Sequence, residues 1–128
     1  MLTKIDHLVI GAKNLGQGVE YVKELLGVEM PFGGVHPKMG THNLLMQLGD
    51  DIFLEIISIN ENADPPKRPR WFALDDPFVR KQIEVSPKLL TWVVNTPDID
   101  TLIENAAFPA GQPELVTSGE ISWYFGLP

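Results

Sequence analysis

His7 and Glu55 are the two residues of this 128-residue chain whose types and settings point to chemistry. Each lies in the middle of an aliphatic run, Ile5-Asp6-His7-Leu8-Val9-Ile10 and Phe53-Leu54-Glu55-Ile56-Ile57. A carboxylate in such a run is costly unless it meets a partner, a metal or a solvated cavity. If the two runs are neighbouring strands, His7 and Glu55 can point to one face and meet there. Imidazole plus carboxylate is half of a ligand set for a borderline divalent metal; it is equally a metal-free hydrogen-bonded pair. His42 and Asn43, at the mouth of a strand, could bond a ligand or tie down the loop before them. His36, beside Pro37 in a glycine-rich stretch, reads as exposed.

The elements that would position these groups follow from the pattern. From Ile5 to Ile10 apolar residues fall on both faces, with Ile5, His7 and Val9 on one and Asp6, Leu8 and Ile10 on the other. Asn14 is an N-cap with Gln17 in the capping-box position, and Leu15, Val19, Val22 and Leu26 follow at helical spacing up to Gly27. Gly16 and Gly18 weaken the first turn. Val28 to Phe32 reads as a short edge strand, and Gly33 to Gly40 as a loop. Two strands follow, Asn43 to Leu48 and Ile52 to Ile59, joined across Gly49-Asp50-Asp51. The first half therefore reads β-α-β-β-β.

A Pro-rich connector leads to Trp71-Phe72, which anchors it to the core, and Arg68 and Arg70 read as solvated. Asp76-Pro77 opens a short helix over Pro77 to Val85. Leu90-Thr91-Trp92-Val93-Val94-Asn95 then repeats the first strand 85 residues on, and Thr96-Pro97 opens a helix with Ile99, Leu102, Ile103 and Ala106 on its buried stripe. Trp92 stands where the first copy has His7. It has no lone pair for a metal, yet it should face the same cavity and offer a stacking wall. Glu114 to Thr117 and Ile121 to Phe125 are two strands around Ser118-Gly119, so the second half reads β-α-β-β and is one strand short. The apolar end Tyr124-Phe125-Gly126-Leu127-Pro128 suggests truncation of a longer chain, with dimerisation as its consequence.

Composition narrows the function classes. With 44% hydrophobic and 21% charged residues the chain is a folded domain, not a disordered segment. Zero cysteines exclude disulfides, thiolate metal sites and a cysteine nucleophile. A net charge of −7 argues against nucleic acid as a partner. No apolar run is long enough to cross a bilayer, and the N-terminus enters a strand pattern at once, so a cytoplasmic protein is expected. Serine-elbow, phosphate-loop and dinucleotide-turn motifs are absent.

These residues together resemble the vicinal oxygen chelate superfamily, the glyoxalase, dioxygenase and bleomycin-resistance group built from paired βαβββ modules. Within it the chain looks like the glyoxalase-like domain family. The resemblance is carried by Gly33-Gly34-Val35-His36-Pro37, Gly40-Thr41-His42-Asn43, Phe53-Leu54-Glu55 and Arg68-Pro69-Arg70-Trp71-Phe72-Ala73-Leu74-Asp75, in that order and over essentially the whole chain. It implies an α+β fold of two βαβββ-type modules in one domain over 1–128: a first module at 1–60, a connector with a short helix at 61–86, and an incomplete second module at 87–128. A curved mixed sheet with helices on its outer face would hold a small organic molecule. The resemblance also implies metal ligands at His7 and Glu55, with Glu55 as ligand or catalytic base; His42, Asn43 and Trp92 are the candidate substrate contacts from their own positions. A fourth ligand would fall at about residue 140 by the repeat offset, past the end. Two readings stay open. One is metal-assisted lyase, isomerase or dioxygenase chemistry with a divalent ion; the other is a metal-free binding or sequestration protein of the bleomycin-resistance type. A homodimer fits either.

Overall fold

The computed structural model describes residues 2–118 and 120–127. Asn14 opens the first helix as expected: its side chain accepts from the Gln17 backbone N–H at 2.8 Å. Gln17 reaches back to the Lys13 N–H at 3.3 Å, one residue earlier than the reciprocal bond of a capping box. Helix α1 (Leu15–Leu26) ends at Gly27, whose φ of 68° is the left-handed conformation that closes helices.

Strands β1 (Lys4–Gly11), β2 (Phe32–His36), β3 (Thr41–Gln47), β4 (Phe53–Ile59) and β5 (Lys88–Asn95) form one sheet in the order β2-β3-β4-β1-β5. β1 runs parallel to β4, the other described pairings are antiparallel, and α1 supplies the crossover between β1 and β2. Leu8 and Ile10 of β1, Leu44 and Met46 of β3, and Leu54 and Ile56 of β4 pack with Val22, Leu15 and Val19 of α1. This face of the sheet carries one cluster of the core. Gly18 is the point of closest approach, since a Cβ there would fall 2.4 Å from Ile56 Cγ2. Its glycine belongs to helix–sheet packing rather than to a weak first turn.

By alternation along each strand, the opposite face carries His7, Val9 and Gly11 of β1, Thr41, Asn43, Leu45 and Gln47 of β3, and Phe53, Glu55 and Ile57 of β4. Leu90 lies over Gly11 on this side, its Cδ1 2.6 Å from where a Gly11 Cβ would stand. Trp92, two residues further along β5, shares that face.

The edge strand departs from expectation. Residues 28–31 lie before β2, and β2 occupies Phe32–His36, so that the strand starts at the last residue of the expected one and runs into the stretch expected as loop. Its register with β3 shifts between Phe32 and Val35, the mark of a bulge that two successive glycines permit. The connector then closes onto β3. Trp71 is buried and its indole N–H donates to Thr41 Oγ1 at 3.3 Å, so it anchors the connector. Arg70 is no solvated cation: its backbone N–H and guanidinium both donate to the Asp75 carboxylate at 2.7 Å. Burial raises the Asp75 pKa, but the hydrogen bonds and charge of Arg70, with Arg80, outweigh it and hold it below the ordinary value.

Phe72 and Ala73, with φ of 57° and 55°, are non-glycine residues in left-handed backbone. Each carries a steric cost of about 1–2 kcal/mol. Ala73 is exposed, so losing its methyl group gives up little burial. Ala73→Gly should therefore raise stability by about 1 kcal/mol, read as an increased melting temperature by calorimetry; an unchanged or lower value would deny the strain.

Helix α2 (Pro77–Val85) starts at Asp76, whose side chain caps the Phe78 and Val79 N–H groups. Residues 5–93 form one compact unit; from Val94 onward the chain, with the first few residues, forms a second. In this second unit helix α3 (Ile99–Asn105) contacts the hairpin of β6 (Gln112–Ser118) and β7 (Ile121–Leu127). The α3 N-cap is Asp98, not Thr96. Asp98 takes the Thr101 N–H at 3.1 Å, whereas the Thr96 hydroxyl takes the Asp98 N–H in the turn before it. β6 and β7 make their own two-stranded sheet rather than extending the larger one, and the turn residue Gly119 lies outside the described residues. The fold is thus α+β, a βαβββ module followed by an incomplete β-α-β-β module.

Candidate functional site

Register brings the two residues singled out by chemistry together. In the β1–β4 ladder His7 pairs with Phe53 and Val9 with Glu55, while Leu45 of β3 flanks Glu55 from the other side. His7 and Glu55 are therefore diagonal neighbours on one face, the spacing across which long side chains meet. His7 Nε2 stands 3.3 Å from Glu55 Oε1, and both residues are buried. The Phe53 ring stacks on the His7 imidazole with centroids 4.4 Å apart and an interplanar angle of 11°.

The pair is backed on both sides. Asp6 Oδ1 lies 2.6 Å from His7 Nδ1, so each ring nitrogen faces a carboxylate oxygen. On the far side Asn43 Nδ2 donates to Glu55 Oε2 at 2.7 Å and approaches His36 Nε2 at 3.3 Å, while Asn43 Oδ1 accepts from the Gly34 N–H at 2.7 Å. His36 in turn packs edge-on against Trp71, ring centroids 5.0 Å apart. A chain of contacts Asp6–His7–Glu55–Asn43–His36 thus crosses four strands.

Electrostatics differ between the histidines. Burial pushes the His7 pKa down, but hydrogen bonds and charge from Glu55 and Asp6 together overcome it and raise it above 6.5. Burial lowers His36, against a smaller upward pull from the Glu55 charge. His42 is lowered by burial. A raised folded-state pKa stabilises the fold fully below the unfolded value and ceases to do so as pH rises through the folded one. The stability advantage of the native chain over His7→Gln should accordingly be greatest below pH 6.5 and shrink at higher pH. Melting temperatures of the two proteins across that range check this; an advantage that grows with pH would contradict it.

Of the residues expected at the site, His7, Glu55 and Asn43 come together, and Trp92 lies on the same face, 65% exposed. His42 does not join them. It pairs with Ser58 in the β3–β4 ladder and shares the helix-side face with Leu44 and Met46, its Nε2 buried without a hydrogen bond from the described residues. His36 is the residue the sequence reading missed: it is buried, not exposed, because β2 extends through it and Trp71 covers it. The adjacent glycines before it were the available signal for a bulged strand. A groove lined by Leu45, Gln47, Asp50, Asp51, Ile52 and Phe53 opens at the β3–β4 hairpin. It borders the pair through Phe53, which stacks on His7, and Leu45, which flanks Glu55.

Among the described residues no group of three or more His, Asp or Glu side chains converges to hold a metal ion. His7 Nε2 and Glu55 Oε1 are two donors, and the Trp92 indole supplies no third. Catalytic zinc-type sites have three protein ligands, so the set is one ligand short.

The sheet order and the buried imidazole–carboxylate pair on one of its faces fit the vicinal oxygen chelate superfamily that the sequence resembles. The sequence profile described as glyoxalase-like domain matches residues 5–124, and the chain belongs to the glyoxalase-like domain family of that superfamily. Among solved structures, a Streptomyces coelicolor methylmalonyl-CoA epimerase variant in complex with 2-nitronate-propionyl-CoA is similar at 18% identity, over 82% of this chain and 70% of that one, with a TM-score of 0.58. A methylmalonyl-CoA epimerase in complex with methylmalonyl-CoA and NH4+ gives 16% identity, 89% and 79% coverage and a TM-score of 0.59. The Mycobacterium tuberculosis epimerase gives 13%, 78% and 59%, and 0.52. At these identities the likeness is one of fold. Comparison with curated protein sequences gives no match. Among the described residues no helix is long and apolar enough to cross a membrane.

Proposed function

We propose that the face of the five-stranded sheet that carries His7 and Glu55 binds a small organic molecule, with these two residues as its polar pole and Phe53 and Trp92 as its apolar walls. The observation that carries this reading is the buried His7–Glu55 approach of 3.3 Å, backed by Asp6 and Asn43. Two ionisable groups taken out of water on a sheet face cost stability, and a ligand's polar group is a use that would repay it. In the catalytic form of the reading the chemistry is of isomerase type. Glu55 Oε1 takes a proton from a carbon next to a carbonyl and returns it to the resulting enolate, while His7, whose ring nitrogens face Asp6 and Glu55, holds that carboxylate in place. Lyase or dioxygenase chemistry on an oxygen-bearing substrate is the alternative within the superfamily. His7 and Glu55 are the residues that would hold a divalent cation, whose contribution would be to polarise neighbouring substrate oxygens.

The second reading, a metal-free binding or sequestration protein, is favoured by the incomplete donor set and by the exposed Trp92 ring on the same face. Both readings place the protein in the cytoplasm. A homodimer is part of both, since β5 is an edge strand with Leu89, Trp92 and Val94 exposed and such edges are normally covered. Calorimetric titration of the full chain with Mn²⁺, Co²⁺ and Zn²⁺, beside NMR titration with methylmalonyl-CoA and an aromatic fragment set, separates the readings. Metal heats lost in His7→Ala support the first. Fragment shifts at Trp92 that survive His7→Ala without metal heats support the second. If no metal and no compound moves the His7, Glu55 or Trp92 signals, the binding face is wrong.

A further inference from the structure

Asn43 spends its whole side chain on protein groups. Its Oδ1 accepts the Gly34 N–H at 2.7 Å, and a backbone N–H can only donate, so the amide cannot be turned around. The Nδ2 end must then face Glu55 Oε2 at 2.7 Å and His36 Nε2 at 3.3 Å. With one Nδ2 hydrogen on Glu55, the second points at His36, and a donor there requires Nε2 to be the lone-pair nitrogen. The neutral ring must then carry its proton on Nδ1, and burial lowers the pKa of this histidine.

The backbone is shaped for this arrangement. The bulge in β2 turns the Gly34 N–H toward the Asn43 side chain, and a Cβ at Gly33 would stand 2.3 Å from Asn43 O and 2.5 Å from Asn43 Oδ1. Only a residue without a side chain lets the strand come this close.

We infer that Asn43 is a positioning residue: anchored by the Gly34 N–H, it grips Glu55 through Oε2 so that Oε1 is the oxygen presented beside His7, and it sets His36 as the Nδ1–H tautomer. This deepens the proposed function, since it assigns which carboxylate oxygen works, and it rests on that reading for the use of Glu55 but not for the geometry.

The test needs no ligand. Long-range ¹H–¹⁵N correlation spectra of the full chain, recorded at a pH where the imidazoles are neutral, report which ring nitrogen of each histidine is protonated. The expected result is His36 with a protonated Nδ1 and a bare Nε2. In Asn43→Leu, which keeps bulk and removes the amide, His36 should lose this preference while His42, on the other face, keeps its spectrum. A wild-type His36 protonated on Nε2 overturns the inference without any variant, so a misfolded Asn43→Leu protein does not shield it. An unchanged His36 tautomer in a folded Asn43→Leu also overturns it. If the tautomer is as stated while no metal or compound binds the face, the positioning geometry stands and the proposed function falls.

Discussion

Glu55→Ala is expected to destabilise the protein by about 3–5 kcal/mol, the cost of stripping one partner from a buried charged pair. The removed carboxylate serves two neighbours at once, His7 Nε2 through Oε1 and Asn43 Nδ2 through Oε2. Without it the His7 ring keeps only Asp6, and the Asn43 amide is left with a donor that has lost its acceptor. An unsatisfied buried donor alone costs about 1–3 kcal/mol. Glu55→Gln should cost less, because it keeps the volume and one oxygen. Urea unfolding at pH 6 checks the order, Ala worse than Gln and both worse than wild type. A loss below about 1 kcal/mol for Glu55→Ala would put the carboxylate in solvent, not in the network.

Gly33→Ala is the second large effect. The added methyl group would meet Asn43 O at 2.3 Å and Asn43 C at 2.7 Å, and both are backbone atoms that no rotamer change can move. Overpacking of this kind costs about 1–3 kcal/mol even where side chains can give way, so about 2 kcal/mol or more is expected here. The damage should also be local. β2 is an edge strand, so the chain can relieve the clash by moving away from β3, taking the Gly34 N–H from Asn43. The Asn43 side-chain amide should then shift in ¹⁵N spectra while the α1–β4 core signals hold. A Gly33→Ala protein with wild-type stability and an unmoved Asn43 amide would rule out the close approach.

The fate of each site residue shows what a sequence can carry. His7 and Glu55 were legible because ionisable residues inside aliphatic strands are expensive, and their pairing followed once β1 and β4 were taken as neighbours. His42 and Asn43 were grouped because they are adjacent, yet adjacent strand residues point to opposite faces, so only one could reach Glu55. The ladder decides which: Asn43 pairs with Ile57 on the face of Glu55 and His42 with Ser58 on the other. His36 was hidden because Gly33-Gly34 and Pro37 spell a loop, and a bulged edge strand leaves no alternation to read. The start of α3 was misplaced for a different reason. Thr96 and Asp98 are both good caps, and the bond that separates them, Asp98 to the Thr101 N–H, is a matter of backbone angle. The separate β6–β7 hairpin was equally out of reach, since local alternation says that strands exist but not which sheet they join.

The account stands on His7 and Glu55 acting as one unit, and a double-mutant cycle measures that unit directly. The unfolding free energies of wild type, His7→Ala, Glu55→Ala and the double variant, taken at pH 6, give the coupling between the two side chains. Groups in contact within one network couple by about 0.5–3 kcal/mol, and a value above about 1 kcal/mol is predicted from a buried pair 3.3 Å apart. Losses that simply add, within about 0.5 kcal/mol, would mean that the imidazole and the carboxylate do not meet.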